Sequence, residues 1–558
     1  MNSYLNIPLL GYRLRAVCGS LLGCCGLNIW TTQKLLRPTR TEGSVKFELQ
    51  SGSALIKLIT QRLRGVRMKR KQRLGYVFCV ATIAVAGCSG GGQTTTGGGG
   101  GGGNPQPASL VVTLTSKPDV SLTNISVLSA TVSITGITLN PASGNAVPLT
   151  LSPTTYPVDL TRLQADTALL GVLSLPAGSY SSATVTFSAP TLTLDNQSGG
   201  TLNGTCLTAT ICKIVLPAGS SQVTAAPFPL TLTAGQSSGI SLNLNLNDAV
   251  TVTSGTVALN FSAADTFNVA SLPRTGAPSG AFDLIEDFVG LVTAETSTSI
   301  TVVGSNGISL QIALPSTVVI EDPQGLCTAL NATCLVANQT VVSVDATVNK
   351  SGALTLVSAD LLDVSPRDEL EGTLINTATP GQFNLVVANK VVATTANSTL
   401  TAANPGDIFL VTLANPTFAV DLDEFFNNAS LPPANVTTLF AGVGDLVDGQ
   451  DVMVHVTAAT GTAATGDQAA TADRVLLRFT RTTGTLQTVS GQTFTLSNFP
   501  PFMSFASNPL VDTISGATNF DGVADVNSLA VGQTVSIRAL LLNRSSFNFY
   551  AGKVRIQP

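Results

Sequence analysis

The chain carries a single histidine, His455. It lies in Val452-Met453-Val454-His455-Val456, where alternation puts the valines on one strand face and Met453 with His455 on the other. A serine or cysteine hydrolase would need that imidazole as the base beside a nucleophile. No G-x-S-x-G or related motif stands near it. One histidine also excludes a histidine-rich zinc or copper centre. His455 is expected to be a strand-surface residue.

Carboxylates are the next candidates, as Ca²⁺ ligands or as a glycosidase pair. The groups are Asp421, Asp423 and Glu424; Asp368, Glu369 and Glu371; and Asp521 with Asp525. None has the alternating ligands and closing glutamate of an EF-hand. The second group falls at an expected module boundary, where acids suit an exposed linker. Solvated turn acids are the expectation, with no enzyme activity, no metal and no cofactor.

Four cysteines stand in two tight pairs, Cys206 with Cys212 and Cys327 with Cys334. In an exported chain such pairs read as local disulfides. A redox dithiol or a metal site is the other reading, but neither pair has C-x-x-C spacing or a histidine beside it.

Export is written in Met68–Cys88. Lys69, Arg70, Lys71 and Arg73 precede the uncharged, mostly apolar run 74–86, and small residues then lead to Cys88. That is the layout of a secretory signal. The run is shorter than the roughly 20 apolar residues of a spanning helix. Val85-Ala86-Gly87-Cys88 resembles the lipobox of bacterial lipoproteins. The resemblance implies cleavage before Cys88, lipidation of its thiol and attachment to a membrane. By the same resemblance, Ser89 after the cysteine favours the outer membrane. Residues 1–67 differ in composition, holding Trp30, Cys18, Cys24 and Cys25, and are expected to be a non-native upstream extension.

From Cys88 onward there are 14 Lys+Arg against 30 Asp+Glu, a net charge of −16. An acidic chain without a basic cluster does not suit nucleic acid. Residues 88–109 form a glycine-rich tether whose seven-glycine run, 97–103, holds no fixed conformation. That run lacks the Lys-Ser/Thr and the preceding strand of a phosphate-binding loop. No tryptophan and only three tyrosines follow Cys88, which is thin material for a glycan platform. Phe499 and Phe502 could form a contact patch, although strand phenylalanines are more often core.

Beyond residue 110 the chain alternates apolar residues with Ser, Thr and Asn between Gly, Pro and Asp turns, the pattern of an all-β protein. Residues 110–272 are expected to form a β-sandwich. Its motifs include Ser133-Ile134-Thr135-Gly136-Ile137, Val158-Asp159-Leu160-Thr161-Arg162-Leu163, Leu175-Pro176-Ala177-Gly178-Ser179-Tyr180 and Gly239-Ile240-Ser241-Leu242-Asn243-Leu244. With these motifs the segment resembles the bacterial family called domain of unknown function 4382, which implies a sandwich and no established activity.

Residues 283–558 read as three diverged copies of one unit. Each opens on a strand with a glycine, Gly290, Gly372 or Gly484. Each has a later strand entered by Asn338-Gln339, Gly449-Gln450 or Gly532-Gln533. The pattern resembles domain of unknown function 5666, which implies small β-barrel-like modules at 283–365, 368–481 and 482–558. The second copy is longer, and an insertion is expected within 403–444. Its residues Asp421, Asp423, Glu424, Phe425 and Phe426 are the candidate contact loop, against a functionless insertion. The modules are expected to be separable at exposed linkers near 276–280 and 364–367. The functional expectation is a non-catalytic structural, adhesive or protein-binding role in the envelope. The alternative is an envelope protein that binds a ligand or glycan, and an unrecognised enzyme ranks last.

Overall fold

The computed structural model describes residues 106–558 apart from 118–121, 152, 189, 217–221, 226–229, 323–324, 328, 366, 393–396, 423–438, 463–465, 504, 506–507, 544–547 and 558. Before residue 106 it describes only an antiparallel pair, Thr39–Thr41 with Ser44–Lys46. Cys88, the signal segment and residues 88–105 lie outside the described residues. No helix among the described residues is long and apolar enough to cross a membrane.

The protein is all-β. The first domain packs two sheets face to face. One has four strands, in the order Phe267–Leu272, Ser237–Asn245, Ala108–Lys117 and Ala168–Leu175. The other has eight and is centred on the long strand Ile125–Pro141, which pairs with Gly178–Phe187 on one side and Thr191–Asn196 on the other. The alternation in these strands does what period two requires: Leu110, Val112, Leu114, Ile134, Leu139, Leu192 and Leu194 are fully or almost fully buried in one core. Tyr180 closes the edge of that core, its hydroxyl donating to Pro176 O at 3.0 Å.

Three barrels follow. The first is built from Ala281–Glu295, Ser299–Val303, Ser309–Ala313, Val341–Asn349 and Leu354–Asp363. The second uses Glu369–Asn376, Gln382–Val391, Ile408–Val420, Asp451–Thr460 and Ala469–Arg478. The third uses Thr480–Ser490, Thr493–Ser497, Leu510–Thr513, Thr534–Leu542 and Asn548–Ile556. In every case the first strand pairs with the second and fourth, the second with the third, and the fourth with the fifth. A parallel contact between the third and fifth strands closes each ring. This is the five-stranded Greek-key barrel of the OB type, repeated three times.

The structure gives the three opening glycines one physical reason. A Cβ on Gly290 would meet Val303 O at 2.6 Å, on Gly372 Val386 O at 2.0 Å, and on Gly484 Ser497 O at 2.8 Å. Each glycine lets the second strand's carbonyl approach where the first strand bends around the barrel. The fourth strand's entry turn is also shared. Asn338, Gly449 and Gly532 have φ of 60°, 89° and 90°. Their amides donate to Val292 O, Leu374 O and Leu486 O at 2.6, 2.9 and 2.8 Å. Asparagine stands in for glycine in the first copy because it tolerates the left-handed region better than other residues.

Residues 101–558 form one compact unit. The outer face of the four-stranded sheet carries the first barrel: Phe282 lies under Gly239, and the sandwich core runs on through Val302, Ile312 and Val344. The insertion expected within 403–444 cannot occupy all of it, since the segment contains the second barrel's third strand, with Phe409 and Val411 in the core.

The glycine argument yields a test by urea unfolding. Gly372→Ala is expected to lose about 2–3 kcal/mol, because the added methyl must displace backbone. Gly484→Ala should lose less, and Gly200→Ala, with nothing within 4 Å, should change little.

Candidate functional site

A set of buried charged side chains converges on the junction of the four modules. It is built upward from one turn of the sandwich. Asp159 accepts hydrogen bonds from Ser129 Oγ at 2.6 Å, Ala130 N at 3.0 Å, and Thr161 N and Oγ1 at 3.0 and 2.7 Å. These bonds fix the 3₁₀ turn Arg162–Gln164. The turn is gripped by two barrels. Arg162 pairs with Glu371 at 2.8 Å and Asp451 at 3.3 Å, both in the second barrel. From the third barrel, Arg555 donates to Leu163 O at 3.1 Å, Asp166 O at 2.9 Å and Thr167 Oγ1 at 2.7 Å. Arg481 Nε reaches Asp166 at 2.9 Å, and Thr483 donates to Gln164 Oε1 at 2.7 Å.

The barrels meet in the same way. Asp287 of the first barrel receives both Arg478, from the end of the second, and Arg481, from the start of the third. Arg478 also holds Asp421. Glu286 takes Lys553, and Asn519 Nδ2 at 3.0 Å. Arg538 lies over the Phe479 ring, 4.9 Å from its centroid. Arg274, between sandwich and barrels, pairs with Asp521 at 3.2 Å and donates to Ile556 O at 2.8 Å. Lys213 of the sandwich reaches Asp407 of the second barrel at 2.7 Å.

Burial and charge compete here. Burial opposes the charge on Asp287, yet Arg478, Arg481 and Arg538 outweigh it and hold its carboxyl well below the usual range. Burial also opposes charge on Arg478 and Arg481, but the surrounding carboxylates raise both. Glu369 is different. Burial pushes its carboxyl up to about 7 against the pull of Arg474, with Asp363 adding to the rise. Burial, reinforced by Asp521, pushes Asp283 up to about 6. Among the described residues fifteen carboxylates are buried against five cations. Arg162, Lys213, Arg274 and Arg474 reach them from half-buried positions.

The residues singled out in the sequence are placed as follows. Cys206–Cys212 and Cys327–Cys334 are disulfides, with Cα atoms 5.5 and 6.1 Å apart. His455 is half-buried at the strand surface, with Nδ1 2.5 Å from Asp473 Oδ1. No hydroxyl or thiol hydrogen-bonds to it among the described residues. Asp421 is 2% exposed and belongs to the junction, so it cannot serve as a surface contact. Asp423, Glu424, Phe425 and Phe426 lie outside the described residues, as does Cys88.

Glu369 and Glu371 are not linker acids. Both are buried, facing Arg474 and Arg162 respectively. Asp521 and Asp525 do unrelated work: the first pairs with Arg274 and Arg555, and the second caps a turn through Ser528 N at 3.0 Å. No group of three metal-ligating side chains occurs among the described residues. Phe499 stacks on Phe549 and meets Phe505 edge to face, with centroids 5.8 and 5.0 Å away, so it is packing, not platform. Sequence reasoning missed the junction itself. Its one signal was basic residues inside strands otherwise almost free of charge: Arg474, Arg478, Arg538, Lys553 and Arg555.

Fold and junction together define a multi-module all-β protein, a sandwich locked to three OB-type barrels. Residues 108–269 match the model of a family described as Domain of unknown function (DUF4382). No curated protein matches the chain.

Two predictions follow from the charges. Arg478→Leu should cost about 3–5 kcal/mol in thermal or urea unfolding, because it takes a buried cation from both Asp287 and Asp421. Arg478→Lys should rescue little, since the two carboxylates sit on separate guanidinium nitrogens. The second concerns pH. A carboxyl raised in the folded state adds stability that is complete below its unfolded value near 4.5 and is lost as pH rises to about 7. Wild-type stability should therefore carry a falling component between pH 5 and 8, on the order of a few kcal/mol. Glu369→Gln should flatten it in melts run across that range.

Proposed function

We propose that this chain is a cell-envelope lipoprotein with a non-catalytic structural, adhesive or protein-binding role. The observation that carries the reading is the junction: buried ion pairs tie four modules into one body. Catalytic lids and hinged domains need boundaries that open at low cost. Here the boundaries of the second and third barrels are crossed by charges that must not be left unpaired, and the sandwich and first barrel share one apolar core. Such a body suits the presentation of surfaces in fixed positions. The three barrels resemble domain of unknown function 5666, which adds repetition of one unit and no chemistry. The leader supplies the address. Its basic stretch, apolar run and Val85-Ala86-Gly87-Cys88 point to a lipid anchor, and residues 88–109 supply a tether. Ser89 favours the outer membrane. The rival reading, recognition of a small ligand or a glycan, draws support from a cavity beside Arg162.

The anchor is tested by fractionation and intact mass. The wild type should sediment with membranes and begin at a lipid-bearing Cys88. Cys88→Ala should move to the soluble fraction, since acyl burial contributes about 0.8 kcal/mol per CH₂. Residues 1–67 recovered on the mature chain would overturn the address. The role is tested by crosslinking in whole cells: a reproducible envelope-protein partner is expected. Turnover of a substrate by the purified chain would replace the scaffold reading with an enzymatic one.

A further inference from the structure

Among the described residues Lys553 is the one buried lysine; the other buried cations are Arg478, Arg481, Arg538 and Arg555. A guanidinium suits a carboxylate better than an ammonium does, because its planar fork matches the two oxygens. A lysine can do what an arginine cannot: give up a proton and act as a nucleophile. Lys553 lies in the last strand of the third barrel. The short strand Asn519–Asp521 runs parallel to it, with Asn519 directly opposite Lys553. Partners in register on parallel strands send their side chains to the same face. Both side chains end on one carboxylate, that of Glu286 in the first barrel. Lys553 Nζ donates to Oε2, and Asn519 Nδ2 donates to Oε1 at 3.0 Å. Arg538 Nη2 stands 3.6 Å from Oε1 of the same group. An amine and a carboxamide thus share a buried acid, with Glu286 and Lys553 each 3% exposed.

These three groups are arranged for an acyl transfer. Holding the amine against the amide makes the step unimolecular. One carboxylate touching both nitrogens can carry protons from the first to the second. The Lys553 ammonium gives one proton to Glu286, and the free amine adds to Cγ of Asn519. Glu286 passes its proton to Nδ2, the Cγ–Nδ2 bond breaks, and ammonia leaves. The new Nζ–Cγ amide loses its extra proton through Glu286 to the ammonia, which departs as ammonium. The exchange of one amide for another needs no oxidant or reductant. A cavity of about 20 Å³ lies beside the pair, lined by Asn519, Lys553, Phe520 and Asp283. It has room for one molecule the size of water, and so for the leaving ammonia.

We propose that Lys553 and Asn519 join in an isopeptide bond that the protein forms on itself, with Glu286 as general acid and base. The bond ties the last strand of the third barrel to its neighbour at 519–521. The acid–base group belongs to the first barrel, so closure waits until the third barrel has docked there. The reaction seals the assembled body and not a part-folded one. It depends on neither the anchor nor a partner protein.

Peptide mapping of the purified whole chain decides it. After denaturation, reduction and trypsin, mass spectrometry is expected to find the peptides carrying Asn519 and Lys553 joined. The product should be lighter than their sum by one ammonia, with cleavage blocked after Lys553. Lys553→Arg should give linear peptides only, and Glu286→Gln should lose most of the joined product. Should either variant fail to fold, Asn519→Ala serves instead. Asn519 is half-buried and carries no charge, so this variant should fold and give linear peptides only. Linear peptides alone from the folded wild type, a joined product in Asn519→Ala, or an undiminished one in Glu286→Gln would overturn the proposal.

Discussion

Asp287 is the constraint from which the rest of the assembly follows. It sits at φ 56°, at a break in register between Ile285 and Phe288 in the first barrel's long strand. In a regular strand Glu286 and Asp287 would point to opposite faces. The bulge re-aims the chain, so both acids are buried and both face other barrels. Ser343 Oγ donates to Asp287 at 2.6 Å from within its own barrel. Arg478 and Arg481 then arrive from the two sides of the boundary between the second and third barrels. One carboxylate therefore fixes three barrels. The Asp159-stapled turn adds the sandwich through Arg162 and through Asp166, which shares Arg481.

The energetics of such a joint differ from those of an apolar core. Taking ions out of water consumes most of what their attraction returns, so apolar residues of the same volume could hold the modules as firmly. A misplaced apolar surface loses little, however, whereas a misplaced buried charge loses its partner outright. The joint thus penalises every arrangement but one. Any surface the four-module body presents keeps its distances from every other.

The strands were legible because their signal is local. Period two shows in many of the core strands, and the disulfide pairs are six and seven residues apart. The glycines that open each barrel were visible as a repeat, although their reason, a carbonyl in the space of a Cβ, needs the neighbouring strand. The junction was not legible because its pairs are remote. Arg478 and Asp287 are 191 residues apart, and Arg555 meets the 162–167 turn across some 390. Asp368-Glu369-Leu370-Glu371 looked like a charged linker because sequence alone does not say which acids have a partner. Asp421 misled for the same reason: it directly follows a strand, and the stretch outside the described residues begins two residues later.

The repeat also explains why the charges differ from copy to copy. Counting back three residues from the opening glycine gives Asp287 in the first barrel, Glu369 in the second and Arg481 in the third. The fifth strands vary in the same way: Asp360 and Asp363, then Arg474 and Arg478, then Lys553 and Arg555. Three barrels of one topology offer three similar surfaces, and with the same charges on each, like would face like. Opposite signs at matching positions let acid meet base between copies, as Asp287 does with Arg478 and Arg481, and Glu286 with Lys553, beside pairs within one barrel such as Glu369 with Arg474. Like-charge contact is costly at close range, so the pattern discriminates against wrong neighbours as strongly as it selects right ones. A fold repeated three times along one chain risks pairing its copies in the wrong order. Here the sign of a buried side chain, not the shape of the barrel, sets that order.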